Sequence, residues 1–374
     1  MSKVKLGDVA EEVKETYDGK GNPAIVGLEH LVPGDIRLKS WSTDTDNTFT
    51  KAFHKGQVLF GRRRAYLKKA AVAPVDGICS GDITVISAKQ DKILPELLPF
   101  VIQNDDFFDY AVGKSAGSLS PRVKWSHLKE YEFNLPGMDQ QRQLANLLWH
   151  FVDAKEAYED LIHQTDELVK SQFIEMFGYP GRVDKGYQLK LLGDVCSVER
   201  GGSPRPISDF ITNAPDGLNW IKIGDADSGR YITHTAEKIK PEGLSKTRKV
   251  YVGDLLLSNS MSFGRPYILK IDGCIHDGWL VLHFDDKVID AIFLQTFLSL
   301  PETFSAFEKM AEGAVVNNLN SSVVKKLPVL LPSIEQQRMY REVIKQSDKS
   351  KFELNEAIKD LDAMYKRIIK DNLG

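Results

Sequence analysis

Between positions 62 and 69 the chain sets five cations around one tyrosine, in Gly61-Arg62-Arg63-Arg64-Ala65-Tyr66-Leu67-Lys68-Lys69. Cations at this density donate hydrogen bonds to phosphate oxygens, and an arginine fork matches the N7 and O6 acceptors of guanine. The competing reading is a solvated strand edge kept basic against aggregation. A second stretch, Gly117-Ser118-Leu119-Ser120-Pro121-Arg122-Val123-Lys124, offers Ser120, Arg122 and Lys124. A third, Arg200-Gly201-Gly202-Ser203-Pro204-Arg205, is a basic loop of low specificity that adds Arg205. Arg62, Arg63, Arg64 and Lys68 complete this part of the candidate DNA-contacting set.

Residues for turnover are scarce. No GxxxxGK[ST] or GxGxxG run offers a phosphate cradle, and neither HExxH nor CxxC marks a metal site. Asn22-Pro23 lacks the Pro and aromatic residue that an amino-methyltransferase would place after it. His276-Asp277, beside Gly278, reads as a turn rather than as a base with its orienting acid.

The elements that would position these loops occur twice. Leu135-Pro136-Gly137-Met138-Asp139-Gln140-Gln141-Arg142 returns as Leu331-Pro332-Ser333-Ile334-Glu335-Gln336-Gln337-Arg338, an offset of 196 residues. The offset runs without a gap from Gly117/Gly313 to Gly178/Gly374, and Leu6-Gly7-Asp8-Val9 matches Leu192-Gly193-Asp194-Val195. A repeat this long is a duplicated domain, not a solenoid unit. Apolar runs at 24–28, 57–60, 70–73 and 83–87, broken by Gly, Pro, Asp and Asn, predict strands. A helical stretch follows at 94–112, and residues 189–331 repeat the plan. The expected fold class is therefore α+β, as two similar domains.

The second copy changes the tips and keeps the frame. Arg64-Ala65-Tyr66 aligns with Arg265-Pro266-Tyr267, and Ser258-Asn259-Ser260 stands where the first copy is basic. The loop 117–124 aligns with Gly313-Ala314-Val315-Val316-Asn317-Asn318-Leu319-Asn320. Asparagine suits adenine as arginine suits guanine, although asparagine-rich turns are common. Asn259, Arg265, Asn317, Asn318 and Asn320 are the second copy's candidates. This divergence is what two domains reading different base sequences would show.

Each copy ends in a helical segment without Gly or Pro, at 139–177 and 335–373. In the first, Leu147, Phe151, Ala154, Tyr158, Leu161, Thr165, Leu168 and Gln172 step by four and three; in the second, Val343, Ser347, Ser350, Leu354, Ala357, Leu361, Met364 and Ile368 do the same. A 3.5-residue period predicts a coiled-coil seam. The alternative is that each helix packs only on its own domain. The expected divisions are 1–136 and 179–332 as domains, with 137–178 and 333–374 as spacer helices. Leu161→Asp is expected to cost roughly 2–5 kcal/mol if the seam forms.

Composition bounds the partners. Of 374 residues, 42% are hydrophobic and 27% charged, as in ordinary globular proteins. Met1-Ser2-Lys3-Val4-Lys5 lacks a signal core, and no run approaches the ~18 apolar residues of a membrane span. Cys79, Cys196 and Cys274 are scattered and read as buried thiols of a reducing cytoplasm. Residues 1–135 carry 19 basic and 18 acidic side chains, and residues 178–331 carry 18 of each. Near-neutral domains release few counterions, so local basic loops or a partner subunit must grip the phosphates.

The two LPxxxQQR segments at 135–142 and 331–338, the paired Leu-Gly-Asp-Val openings, and Ser171-Gln172-Phe173-Ile174-Glu175-Met176-Phe177-Gly178 together resemble the specificity subunits of Type I restriction-modification enzymes. The resemblance covers the whole chain. It implies two target-recognition domains on an antiparallel helix pair with pseudo-two-fold symmetry, each domain reading half of a bipartite double-stranded DNA site. It also implies two methyltransferase subunits carrying S-adenosylmethionine, a nuclease-translocase subunit using ATP and Mg, and no cofactor, metal or catalytic residue in this chain. The alternatives are a stand-alone DNA methyltransferase or nuclease, and a coiled-coil adaptor that binds only protein.

Overall fold

The predicted β-runs become strands whose alternate residues enter two different cores, the pattern of a sheet buried on both faces. The computed structural model describes residues 2–43, 46–183, 185–226, 229–259, 263–311 and 319–374. It divides into two units, Met1–Asp160 with Leu354–Gly374, and Leu161–Glu353.

In the first unit the strands are β1 (Ser2–Lys5), β2 (Ala10–Val13), β3 (Ala24–Val26), β4 (Lys51–Phe53), β5 (Val58–Gly61), β6 (Ala70–Val72), β7 (Gly77–Cys79), β8 (Ile83–Ala88) and β9 (Glu132–Leu135). An antiparallel sheet in the order β2-β8-β5-β6 is the middle layer. Val58, Phe60 and Ile86 point into a core shared with Phe100, Phe107, Phe108 and Leu148. Leu59, Ile83 and Val85 point the other way, toward Val26, Phe53 and Cys79 of the small sheet β3-β7-β4. Strand β1 pairs antiparallel with β9, Ser2 opposite Leu135, so the start of the domain is bonded to the strand that leads into the long helix.

The second unit repeats this with longer sheets. Its strands are β10 (Gln188–Leu191), β11 (Cys196–Arg200), β12 (Ile211–Thr212), β13 (Leu218–Ile221), β14 (Tyr231–Ile232), β15 (Glu237–Ile239), β16 (Arg248–Val250), β17 (Leu255–Ser258), β18 (Pro266–Leu269), β19 (Gly273–Ile275), β20 (Trp279–Phe284) and β21 (Pro328–Leu331). The two five-stranded sheets run β11-β20-β17-β18-β14 and β12-β15-β13-β19-β16, and β10 pairs with β21 as β1 does with β9. Leu255, Leu257, Leu280 and Leu282 face the helical side, while Leu256, Trp279 and Val281 face the second sheet.

Each copy's long helix, Met138–Phe177 and Ile334–Leu373, has 40 residues, about 60 Å at ~1.5 Å per residue. Within each unit the two helices run antiparallel. In the first, Lys155 Nζ lies 2.9 Å from Asp362, and Leu144 and Leu148 share a core with Ile369 and Leu373. In the second, Lys351 pairs with Asp166 at 2.7 Å, and the Tyr340 hydroxyl donates to the Val169 carbonyl at 3.1 Å. Phe173 stacks edge-on against Tyr340 at 5.3 Å.

The expected seam differs toward the ends of the helix pair, where the buried face lies one position later, while its own Ser347 is buried. Leu147, Leu161, Leu168, Val343 and Met364 are exposed, and Phe151, Tyr158, Leu354, Leu361 and Ile368 are half-buried. The buried residues are Leu144, Ala145, Leu148, Val152, Val169, Phe173 and Phe177 on one helix, and Tyr340, Ile344, Ser347, Ile369 and Leu373 on the other. A helix that touches both a partner helix and a domain buries the face between those two contacts. The 3.5-residue stripe describes only the first of them.

The second glutamine of each LPxxxQQR motif is an amide clamp. Gln141 and Gln337 are 2% and 0% exposed. Gln141 Oε1 accepts from the Leu94 N–H at 3.0 Å, and its Nε2 donates to the Pro136 carbonyl at 3.0 Å. Gln337 Oε1 accepts from the Asp290 N–H at 2.8 Å, and its Nε2 donates to the Pro332 and Val288 carbonyls at 3.0 Å.

Phe173→Ala should lower stability by ~3–5 kcal/mol, whereas Leu161→Asp at an exposed position should stay within ~0.5 kcal/mol. Denaturant unfolding ranks the two, and equal losses would restore the stripe as the seam. Gln337→Ala leaves a buried N–H and two carbonyls unpaired, at ~1–3 kcal/mol for each group that water does not reach. Gln140→Ala, at an exposed neighbour, should be near neutral in the same melt.

Candidate nucleic-acid interface

Two stretches whose bonded residues Arg63 and Ser120 are 57 positions apart in sequence are zipped into one surface in the first unit. Strand β5 ends at Gly61, whose N–H donates to the Lys69 carbonyl at 2.8 Å. Between them one turn of tight helix, Ala65–Leu67, is flanked by Arg64 and Lys68, both left-handed at φ 54° and 50°. Left-handed non-glycine residues cost on the order of 1 kcal/mol each, and cross-links offset this here. Arg64 N–H donates to the Pro121 carbonyl at 2.8 Å, and Val123 N–H to the Arg62 carbonyl at 3.0 Å. Ala116 and Arg122 exchange both backbone bonds, at 3.0 and 2.9 Å.

Asp82, in the turn between β7 and β8, is the centre of this surface. Arg122 Nε donates to its Oδ1 at 2.6 Å and Nη2 to its Oδ2 at 3.2 Å. Arg63 Nη1 donates to Oδ2 at 3.4 Å, while Arg63 Nε and Nη2 reach the Ser120 hydroxyl at 3.3 and 3.1 Å. The Arg122 hydrogen bond holds the Asp82 carboxyl below its ordinary range, against the opposing effect of burial. Lys68 is turned away to Asp105, 2.6 Å distant, and so ties the loop to the helix Asp105–Gly113. Arg62 is half-buried, and Arg64, Tyr66, Leu119, Arg122 and Lys124 are exposed. The sequence reading missed Asp82 and Asp105. A charge count registers such acids only as neutralising, and the one local signal was a lone Gly81-Asp82 turn.

The matching turn of the second unit also carries one acid, Asp277. Ser203 Oγ donates to its Oδ1 at 2.8 Å, and Arg205 Nη2 approaches its Oδ2 at 3.7 Å. Burial opposes ionisation of this carboxyl, but the Ser203 bond and the His276 charge hold it below the usual range. His276 accepts the Gly278 N–H through Nδ1 at 3.0 Å and faces Asp277 Oδ1 at 2.8 Å, so it belongs to the turn.

Two asparagines change role. Asn259 is 2% exposed and donates to the Asp277 carbonyl at 2.9 Å; Asn320 accepts the Val323 N–H at 3.0 Å and caps the helix Ser321–Lys325. Burial takes Asn259 off the accessible surface, while Asn320 is exposed and uses its Oδ1 for the cap. Asn317 and Asn318 lie outside the described residues. Arg205 and Arg265 are exposed.

The chemistry on offer is donation of N–H groups. Among the described residues no group of three His, Cys, Asp or Glu is placed to hold a metal ion. Cys79, Cys196 and Cys274 are buried, and burial pushes their thiols up to about 12, 12 and 11. No helix among these residues is long and apolar enough to cross a membrane.

The family model of the Type I restriction modification DNA specificity domain matches residues 184–361. The Type I restriction enzyme MjaIX specificity subunit of Methanocaldococcus jannaschii is 29% identical over 179 residues, covering 44% of this chain and 41% of that protein. The Type I restriction enzyme EcoDI specificity subunit of Escherichia coli is 26% identical over 163 residues, covering 43% of this chain and 35% of that protein. The matches thus span less than half the length of these curated relatives. A solved chain, described under complex assembly and conformational transition of the type I R-M system, is alike in fold at TM-score 0.63 and 22% identity, covering 99% of this chain and 97% of that one. The second copy of the repeat is thus similar to the Type I restriction-modification DNA specificity domain, and the whole chain shares its fold with that solved chain.

Proposed function

We propose that this chain is a non-catalytic subunit that reads a bipartite double-stranded DNA site, one half with each domain. The recognition domains are 1–136 and 179–332, and the helical segments 137–178 and 333–374 act as spacer. The observation that carries this is the pair of acid-centred loop clusters at Asp82 and Asp277, which present different exposed donors from one shared frame. Such clusters reconcile near-neutral domains with base reading. Arginines answered by acids add little net charge, yet keep N–H groups for base edges.

The partners in this reading are two methyltransferase subunits and a nuclease-translocase subunit, in the cytoplasm. S-adenosylmethionine, ATP and Mg belong to those partners. Support comes from the apolar residues left outside on the long helices. Leu147, Leu161 and Leu168, and Val343 and Met364 in the second copy, are exposed at multiples of seven. Leucine, valine and methionine repeating on an exposed helix face suit burial by another protein.

Two measurements test the reading. Methylation of a randomised bipartite library by the assembled complex should show Arg64→Ala changing preference in one half-site and Arg265→Ala in the other. Each lost base contact is worth roughly 1–3 kcal/mol, and a lost phosphate contact would instead lower all sequences alike. Normal assembly with unchanged preference in both halves would sink the recognition role. For the partners, Leu168→Glu and Met364→Glu should leave the melt of the isolated chain within ~0.5 kcal/mol and abolish co-elution with the methyltransferase. Co-elution undiminished in both variants would move the docking surface elsewhere.

A further inference from the structure

Arg122 and Arg63 share one acid but hold it differently. Arg122 meets Asp82 side-on, through Nε and Nη2 at 2.6 and 3.2 Å. That pairing leaves Nη1 and the second Nη2 hydrogen on the far edge of the guanidinium. Arg63 has no such edge to spare, since Nε and Nη2 serve Ser120 and Nη1 serves Asp82. The Arg122 backbone is fixed on both sides, by its exchange with Ala116 and by the Val123–Arg62 bond. Its side chain nevertheless remains 44% exposed. A guanidinium held this way loses little freedom on binding. Its charge is partly answered by an acid it shares with Arg63, and the far-edge fork retains the spacing that matches guanine N7 and O6.

Resting on the DNA-reading role above, we propose that Arg122 reads one guanine in the half-site of the first domain, with Asp82 as its positioning residue. Among the described residues of the second domain no arginine holds its acid side-on in this way; Asp277 is approached by Arg205 at 3.7 Å through one nitrogen.

The experiment is methylation of the randomised bipartite library by the full complex, comparing wild type, Arg122→Lys and Asp82→Asn. Lysine keeps the charge and a phosphate contact but has no fork. Arg122→Lys should therefore lower the preference for guanine at one position by about tenfold or more, with other positions and the salt dependence retained. Asp82→Asn should relax the same position. The half-site belonging to the first domain is the one whose preferences move in Arg64→Ala. Guanine preference unchanged in Arg122→Lys overturns the proposal, as does a first-domain half-site in which no guanine position responds. If Asp82→Asn fails to assemble, Asp82→Glu, which keeps the charge, replaces it, and the Arg122→Lys result decides for the reader itself. Wild-type complex without any base preference would overturn the recognition role, an outcome distinct from preference that ignores Arg122.

Discussion

The fold hangs on one buried amide in each copy. Gln141 and Gln337 accept the N–H that opens a domain segment, from Leu94 and Asp290, and donate to the carbonyl of the proline before the long helix. Each amide therefore bonds the domain to the helix start with both of its ends. A buried amide has no water to turn to, so the angle at which the helix leaves the domain cannot drift without losing several bonds. In the second unit Arg341 adds an ion pair to Asp290 at 2.8 Å, one turn along the helix from Gln337.

Around the junction the duplication has kept what burial demands and released what exposure allows. The middle sheet of each unit sends alternate residues into two cores, so both faces of β5 and β8, and of β17 and β20, are constrained. Their tips are not. The turn after β7 carries its acid at Asp82, whereas the turn after β19 carries it one place earlier in the repeat, at Asp277. Each acid gathers a different set of donors. Neutral overall charge and a hydrogen-bonding surface are compatible for this reason, since an acid that neutralises an arginine also orients it.

How much was legible in the residues depended on the range of the interaction. The repeat, the two α+β domains, the strands at 24–26, 58–61, 70–72 and 83–88, and the family resemblance all follow from patterns within short windows. The QQR motif marked the helix starts, but that its second glutamine is the buried one was not visible, because burial comes from a domain segment nearly 50 residues away. Five cations between 62 and 69 identified a basic loop without showing that Lys68 turns to Asp105 or that Arg63 spends its donors on Ser120 and Asp82.

By itself the sequence determined periodicity and composition: two copies, alternating strands, long helices without breakers, basic and asparagine-rich tips. Only the tertiary structure decided which face of each helix is buried, since Leu144, Leu148 and Phe173 answer to a domain and a partner helix at once while Leu161 and Leu168 answer to neither. It also decided which polar residues are buried, as Asn259 is, and which stand exposed, as Arg64 and Arg265 do. The physical reason is the same in both cases. Side-chain burial and hydrogen-bond pairing are set by groups brought close in space, and a local window of sequence holds only one of the two partners.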